Sequence, residues 1–104
     1  MLPPGPITWL GFSQGVATAA RWSANGLPAP RRLVFWGGLL PEDIPATRLI
    51  GIPVTFVVGE RDQWAPPARI EAQAAVLRAA GVGVEVVAFD GGHRISAEVL
   101  STLV

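Results

Sequence analysis

Four short runs rich in β-branched and aromatic residues constrain the fold of this chain more than any other feature. Each run is bounded by glycine or proline, which is typical of strands. The predicted strands span residues 7–12, 32–36, 53–58 and 84–89. The third run, PVTFVV, is the most continuously apolar, which favours a parallel strand covered on both faces.

The segments between these runs predict helices or long crossover connections. Helices are predicted over residues 14–25, 68–80 and 95–104, the first ending at Asn25-Gly26. In the second helix, one stripe of residues is expected to face the sheet: Ile70, Gln73, Ala74 and Leu77. Residues 39–49 are predicted to be irregular, because Pro41 and Pro45 interrupt a helix. This alternation predicts an α/β domain with a parallel sheet of about four strands and right-handed connections.

Length, charge and cysteine content limit the classes of function. The 104 residues make one domain at most, spanning 1–104, and eight dispersed arginines balance eight carboxylates, so a nucleic-acid partner is not expected. The absence of cysteine excludes disulfides, thiolate metal sites and thiol catalysis. No apolar run reaches the roughly 20 residues of a membrane span, and the first residues do not resemble a signal peptide. A cytoplasmic protein is therefore expected.

Three polar residues stand at the ends of predicted strands, where parallel sheets carry their ligands and catalytic groups. Ser13 follows the first strand, Asp62 the third and His93 the fourth. A serine needs a base to take its proton, a histidine can do so, and a carboxylate can hold the imidazole in one tautomer. Each residue also has a simpler interpretation: Ser13 as a helix cap, Asp62 as a turn residue, and His93 as a loop residue capping the last helix.

The order Ser…Asp…His and the stretch Gly11-Phe12-Ser13-Gln14-Gly15 fit the G-x-S-x-G signature of α/β-hydrolases. Large side chains at Gly11 and Gly15 are expected to collide with the adjoining helix or strand. The sequence resembles the C-terminal half of these proteins, nearest the carboxylesterase/phospholipase (acyl-protein-thioesterase-like) serine esterases. The segment GERDQWAP at 59–66 resembles their acid loop, and DGGH at 90–93 their histidine loop.

This resemblance implies a serine hydrolase that cleaves carboxylic esters or thioesters through an acyl-enzyme, with no cofactor and no metal. Ser13 would be the nucleophile, His93 the general base, Asp62 the orienting acid, and the Gln14 N–H an oxyanion donor. Four apolar residues at or after strand ends are candidates for lining an acyl pocket: Trp36, Leu39, Leu40 and Trp64. A dinucleotide fingerprint and a P-loop are not found, and one histidine without cysteine makes a zinc site improbable.

The resemblance covers the whole chain but only about half of such a domain, which typically runs roughly 200–250 residues. The early strands and the loop that supplies a second oxyanion N–H have no counterpart before Ser13. The first strand should therefore present an open edge, available for pairing with a second copy or another chain. Three interpretations stay open: an active esterase, a non-catalytic remnant that binds or dimerises, and a fragment produced by truncation or a wrongly assigned gene start.

Overall fold

The computed structural model describes residues 8–24 and 30–103, which form one parallel sheet with helices on both of its faces. The elements, in chain order, are β1 (Thr8–Phe12), α1 (Gly15–Ala24), β2 (Arg32–Trp36), a 3₁₀ helix (Ala46–Leu49), β3 (Val54–Gly59), α2 (Pro67–Ala79), β4 (Val84–Phe89) and α3 (Ala97–Leu103). The four strands lie in the order β1-β2-β3-β4, and every neighbouring pair is parallel. The predicted α/β class and four-stranded parallel sheet are confirmed.

The predicted elements differ from the observed ones mainly at their ends. The irregular segment 39–49 contains the 3₁₀ helix, because Pro45 accepts a hydrogen bond from the Arg48 N–H (3.0 Å) in a single tight turn. The last helix begins at Ala97, two residues later than predicted, since Ser96 Oγ accepts the Val99 N–H (3.4 Å) as a cap does. The predicted helix end at Asn25-Gly26 lies outside the described residues.

Side chains alternate across the strands and build a core on each face of the sheet. On one face, Phe35 of β2 and Phe56 of β3 pack with their ring centroids 5.6 Å apart, beneath α1, the 3₁₀ helix and α2. The stripe predicted for α2 is confirmed: Ile70, Ala74 and Leu77 are buried. On the other face, a smaller cluster packs against α3; it consists of Val34, Trp36, Val57 and Phe89, with Val99, Leu100 and Leu103. Both faces of β3 are buried, as its apolar run predicts.

The strand order places β1 at an edge of the sheet. Within the described residues β1 pairs only with β2, through a register that runs from Thr8 opposite Arg32 to Phe12 opposite Trp36. A groove of about 490 Å³ follows β1 and the start of α1, and its lining includes Trp9, Gly11 and Gly15. The open edge expected from the sequence is therefore present in the described part of the chain.

Candidate active site

Ser13 occupies a strained turn between β1 and α1. Its φ is 55°, a left-handed conformation that residues other than glycine rarely adopt. Two backbone hydrogen bonds hold it there: the Ser13 N–H donates to the Trp36 carbonyl (2.8 Å), and the Ser13 carbonyl accepts the Val16 N–H (3.1 Å). A serine at such a strand-to-helix turn has its hydroxyl raised above the carboxyl end of the sheet.

The two glycines that flank Ser13 are not equivalent. A Cβ on Gly11 would stand 2.4 Å from the carbonyl oxygen of Gly15 and 2.8 Å from the Val16 nitrogen, so only glycine lets the strand and helix approach this closely. A Cβ on Gly15 would meet nothing within 4 Å. The expected collision is therefore confirmed at Gly11, where even a Cβ does not fit, whereas a Cβ at Gly15 has free space and only a larger side chain could collide.

The structure brings Ser13, His93 and Asp62 into one chain of hydrogen bonds. His93 Nε2 lies 2.9 Å from Ser13 Oγ, and His93 Nδ1 lies 2.9 Å from Asp62 Oδ2. The three residues come from the loops after β1, β4 and β3, which the parallel sheet places at the same end. With the proton on Nδ1 held by the carboxylate, Nε2 is left to accept the serine proton.

Asp62 is buried, with 3% of its surface exposed, in the tight loop after β3. Its Oδ1 accepts the Trp64 N–H (2.8 Å) and the Ala65 N–H (2.9 Å), which leaves Oδ2 for His93. Burial by itself raises the pKa of the Asp62 carboxyl, but the hydrogen bonds from Ala65, His93 and Trp64 outweigh it and lower the pKa below its usual value. Asp62 is thus a carboxylate whose orientation the backbone fixes.

Aromatic rings and close backbone surround the imidazole of His93. The Phe12 ring lies 5.0 Å from it, centroid to centroid, and the Trp64 ring 6.4 Å. A Cβ on Gly37, whose φ is 63°, would stand 3.3 Å from His93 Nδ1 and Cε1 and 3.5 Å from Asp62 Oδ2. Neither Phe12 nor Gly37 is among the site residues predicted from the sequence. The sequence features that could have identified them are the position of Phe12 directly before Ser13 and the position of Gly37 directly after β2.

The loop that carries His93 is anchored against the loop after β3. The Arg61 N–H donates to the Gly91 carbonyl (2.9 Å), and a Cβ on Gly59 would come within 2.3 Å of the Gly92 carbonyl oxygen. Arg61 forms its ion pair with Asp90 and not with Asp62, its neighbour in the sequence. The Asp62 carboxylate is instead used by His93 and two backbone N–H groups.

The candidate pocket residues fall into different environments. Trp36 is fully buried against Phe89 in the core, which corrects the expectation that it lines a pocket. Leu40 is also buried, at 7% exposure, because Gln73 holds both its N–H (2.6 Å) and its carbonyl (3.0 Å). Leu39 is half-buried and packs on the same core. Of the four candidates, Trp64 is the one whose side chain is mostly exposed (78%), and its ring lies beside that of His93.

Gln14 follows Ser13 and precedes α1. Its N–H has no hydrogen-bond partner among the described residues, and its place at the start of a helix suits it to a developing negative charge. No group of three or more histidine, aspartate or glutamate side chains that could hold a metal ion occurs within residues 8–24 and 30–103. In that same part of the chain, no helix has the length and hydropathy needed to span a membrane.

A parallel sheet covered by helices on both faces, with a serine on a strained turn after a strand, is typical of the α/β-hydrolase fold. The predicted resemblance to the C-terminal half of this fold is confirmed. Residues 5–99 match the family described as Serine hydrolase (FSH1), and the chain therefore belongs to that family. No match was found among curated protein sequences.

Solved structures share this architecture over about half of their length. The esterase PE8 is 25% identical with a TM-score of 0.73, and the match covers 98% of this chain and 49% of that one. Zea mays acyl-protein thioesterase 2 is 24% identical with a TM-score of 0.72, covering 94% and 53%. The Bacillus cereus carboxylesterase is 20% identical with a TM-score of 0.76, covering 93% and 46%. The chain thus spans about half the length of the structures that it resembles.

Proposed function

We propose that the chain carries the catalytic residues of a hydrolase for carboxylic esters or thioesters. The observation that carries this proposal is the unbroken hydrogen-bond chain from Ser13 Oγ through His93 to Asp62, with 2.9 Å at each of its two links. Membership of a serine hydrolase family supports it, as does the likeness to structures named as esterases and a thioesterase.

In the proposed reaction, His93 Nε2 takes the hydroxyl proton of Ser13 while Oγ attacks the acyl carbon. The carbonyl electrons move to the oxygen, where the Gln14 N–H donates a hydrogen bond to the oxyanion. The tetrahedral intermediate then expels the alcohol or thiol, which takes the proton from His93 and leaves an acyl-Ser13 ester. Water is deprotonated by His93, attacks the acyl group and releases the acid, and the proton returns to Ser13 Oγ.

Asp62 stabilises the imidazolium that forms in both steps. Its lowered pKa keeps it ionised at neutral pH, and its bond to Nδ1 fixes the tautomer in which Nε2 is the base. Phe12 and Trp64 flank the imidazole and offer apolar surface for the acyl or leaving group. The proposed substrate is a small-molecule ester or thioester.

The matched variants Ser13→Ala and Ser101→Ala test the role of Ser13. Ser101 is an exposed serine on α3 whose hydroxyl donates to the Glu98 carbonyl, so its removal should leave turnover unchanged. Hydrolysis of p-nitrophenyl acetate, and of acetylthiocholine as a thioester, would be followed by absorbance. We expect Ser13→Ala to reduce turnover to the uncatalysed rate. Equal turnover in the two variants would refute the assignment of Ser13.

A second candidate function is that of a non-catalytic binding or dimerisation module. The observation that favours it is the open edge of β1, where Leu10 is 37% exposed beside a groove of about 490 Å³. If the chain dimerises through this edge, light scattering should give a mass twice the 10.9 kDa of the single chain. Leu10→Lys should dissociate such a dimer, whereas Val76→Lys, on an exposed face of α2, should not. A monomer at all concentrations would exclude self-association.

The cytoplasmic location expected from the sequence stays a prediction, which fractionation of cells that express the chain would test.

A further inference from the structure

Trp36, at the end of β2, makes two polar contacts that reach both sides of the candidate active site. Its carbonyl accepts the Ser13 N–H (2.8 Å), and its indole Nε1–H donates to the Arg94 carbonyl (2.9 Å). The side chain is fully buried, and its ring lies 5.9 Å from that of Phe89. Trp36 is therefore hydrogen-bonded both to Ser13 and to Arg94, the residue that directly follows His93.

The two contacts join segments that are far apart in the sequence. Ser13 follows the edge strand β1, and Arg94 lies in the loop after β4 at the opposite edge of the sheet. The indole is packed in a cluster with Val57 of β3 and Phe89 of β4, and its N–H reaches the loop after β4. Because the ring is enclosed in the core, it has little freedom to adopt another rotamer. The buried indole of Trp36 therefore limits how far the Ser13 turn and the loop after β4 can move apart.

The histidine loop depends on such anchors, because Gly91 and Gly92 precede His93 and restrict its backbone little. On the N-terminal side of His93, the loop is held by the bond from the Arg61 N–H to the Gly91 carbonyl. On the C-terminal side, the indole of Trp36 supplies the long-range bond, at Arg94. Loss of that bond removes the long-range restraint at Arg94 and frees one side of the loop.

We propose that Trp36 is a positioning residue: by holding the Ser13 turn and the histidine loop together, it sets the contact between Ser13 Oγ and His93 Nε2. The proposal rests on the proposed function for its kinetic consequence. Its structural consequence, the fixed tautomer and orientation of His93, is measurable without activity.

The test replaces Trp36 by phenylalanine and, in a second variant, by β-(3-benzothienyl)alanine, which keeps the ring size and lacks the N–H donor. Phe56→Leu is the control, since it removes a buried aromatic ring from the opposite face of the sheet. Labelling by a fluorophosphonate gives the inactivation rate at saturation separately from the apparent affinity. His93 is the only histidine, so its ¹⁵N resonances report the tautomer without ambiguity.

We expect both Trp36 variants to lower the inactivation rate at saturating fluorophosphonate by roughly tenfold, because one hydrogen bond between uncharged groups is lost. The apparent affinity for the fluorophosphonate should stay unchanged. In both, the His93 resonances should move from the Nδ1–H tautomer toward a mixture, while Phe56→Leu keeps the wild-type values. A benzothienyl variant with wild-type rate and tautomer would overturn the proposal, as would an equal change in Phe56→Leu. If the wild-type chain is not labelled, the proposed function fails, and the tautomer comparison alone decides the role of Trp36.

Discussion

Replacing each glycine of the Gly11-x-Ser13-x-Gly15 turn by alanine should have opposite effects. In Gly11→Ala the new methyl group would lie 2.4 Å from the Gly15 carbonyl oxygen, about 1 Å inside the 3.4 Å at which ordinary contact begins. The obstructing atoms belong to the backbone and must move with the start of α1. Forcing a group into such a site costs about 1–3 kcal/mol and sometimes more. In a domain of this size that lowers the Tm by roughly 5–20 °C.

Gly15→Ala should be tolerated, because its Cβ would meet nothing within 4 Å and Gly15 is the first residue of α1. Alanine restricts the unfolded chain more than glycine does, so the Tm should stay the same or rise by a few degrees, for a gain of up to about 1 kcal/mol. Thermal unfolding followed by circular dichroism measures both effects. Equal destabilisation by the two substitutions would refute the packing argument for this turn.

Two further substitutions test the surroundings of His93. Asp62→Asn should lower the rate of Ser13 acylation by about 10³–10⁴-fold, measured with a saturating ester, because it removes the charge that fixes the tautomer. The pKa of the Asp62 carboxyl is lower in the folded state than its unfolded value near 3.8, so its contribution to stability is fully present well above that value and is lost as the pH falls through the folded value. The difference in urea stability between wild type and Asp62→Asn should therefore begin to shrink near pH 3.8 and disappear only below the folded pKa. Gly37→Ala and Gly51→Ala both place alanine at a positive φ (63° and 93°), and each should lose about 1–2 kcal/mol. Only Gly37→Ala should shift the His93 resonances, because a Cβ on Gly51 would meet nothing within 4 Å. A shift in both variants would contradict a specific contact between residue 37 and the His93 ring.

Local patterns predicted the strands and the meeting of the site residues because both depend on short-range signals. β2 and β4 have the predicted ends, since each is an apolar run stopped by a turn residue. Parallel strands share a carboxyl edge, so residues after β1, β3 and β4 were expected to lie near one another, and the distances between Ser13, His93 and Asp62 agree with that geometry. Their catalytic roles stay predictions.

The surroundings of these residues depend on contacts that the sequence does not display. Trp36 is the last residue of an apolar run and resembles a pocket residue, but it lies on the face that α3 covers, and its partner Arg94 is 58 positions away. Arg61 binds Asp90 across two loops instead of its neighbour. The asymmetry between Gly11 and Gly15 arises from how closely α1 approaches β1, which is a property of packing and not of the signature itself.

The central claim is that Ser13 is a nucleophile activated by His93. Incubation of the folded chain with a fluorophosphonate, followed by peptide mass spectrometry, tests it most directly. We expect a single adduct on Ser13, formed much more slowly in Asp62→Asn and absent in Ser13→Ala. A folded chain that stays unmodified, or one labelled on Ser96 or Ser101 to the same extent as on Ser13, would contradict it.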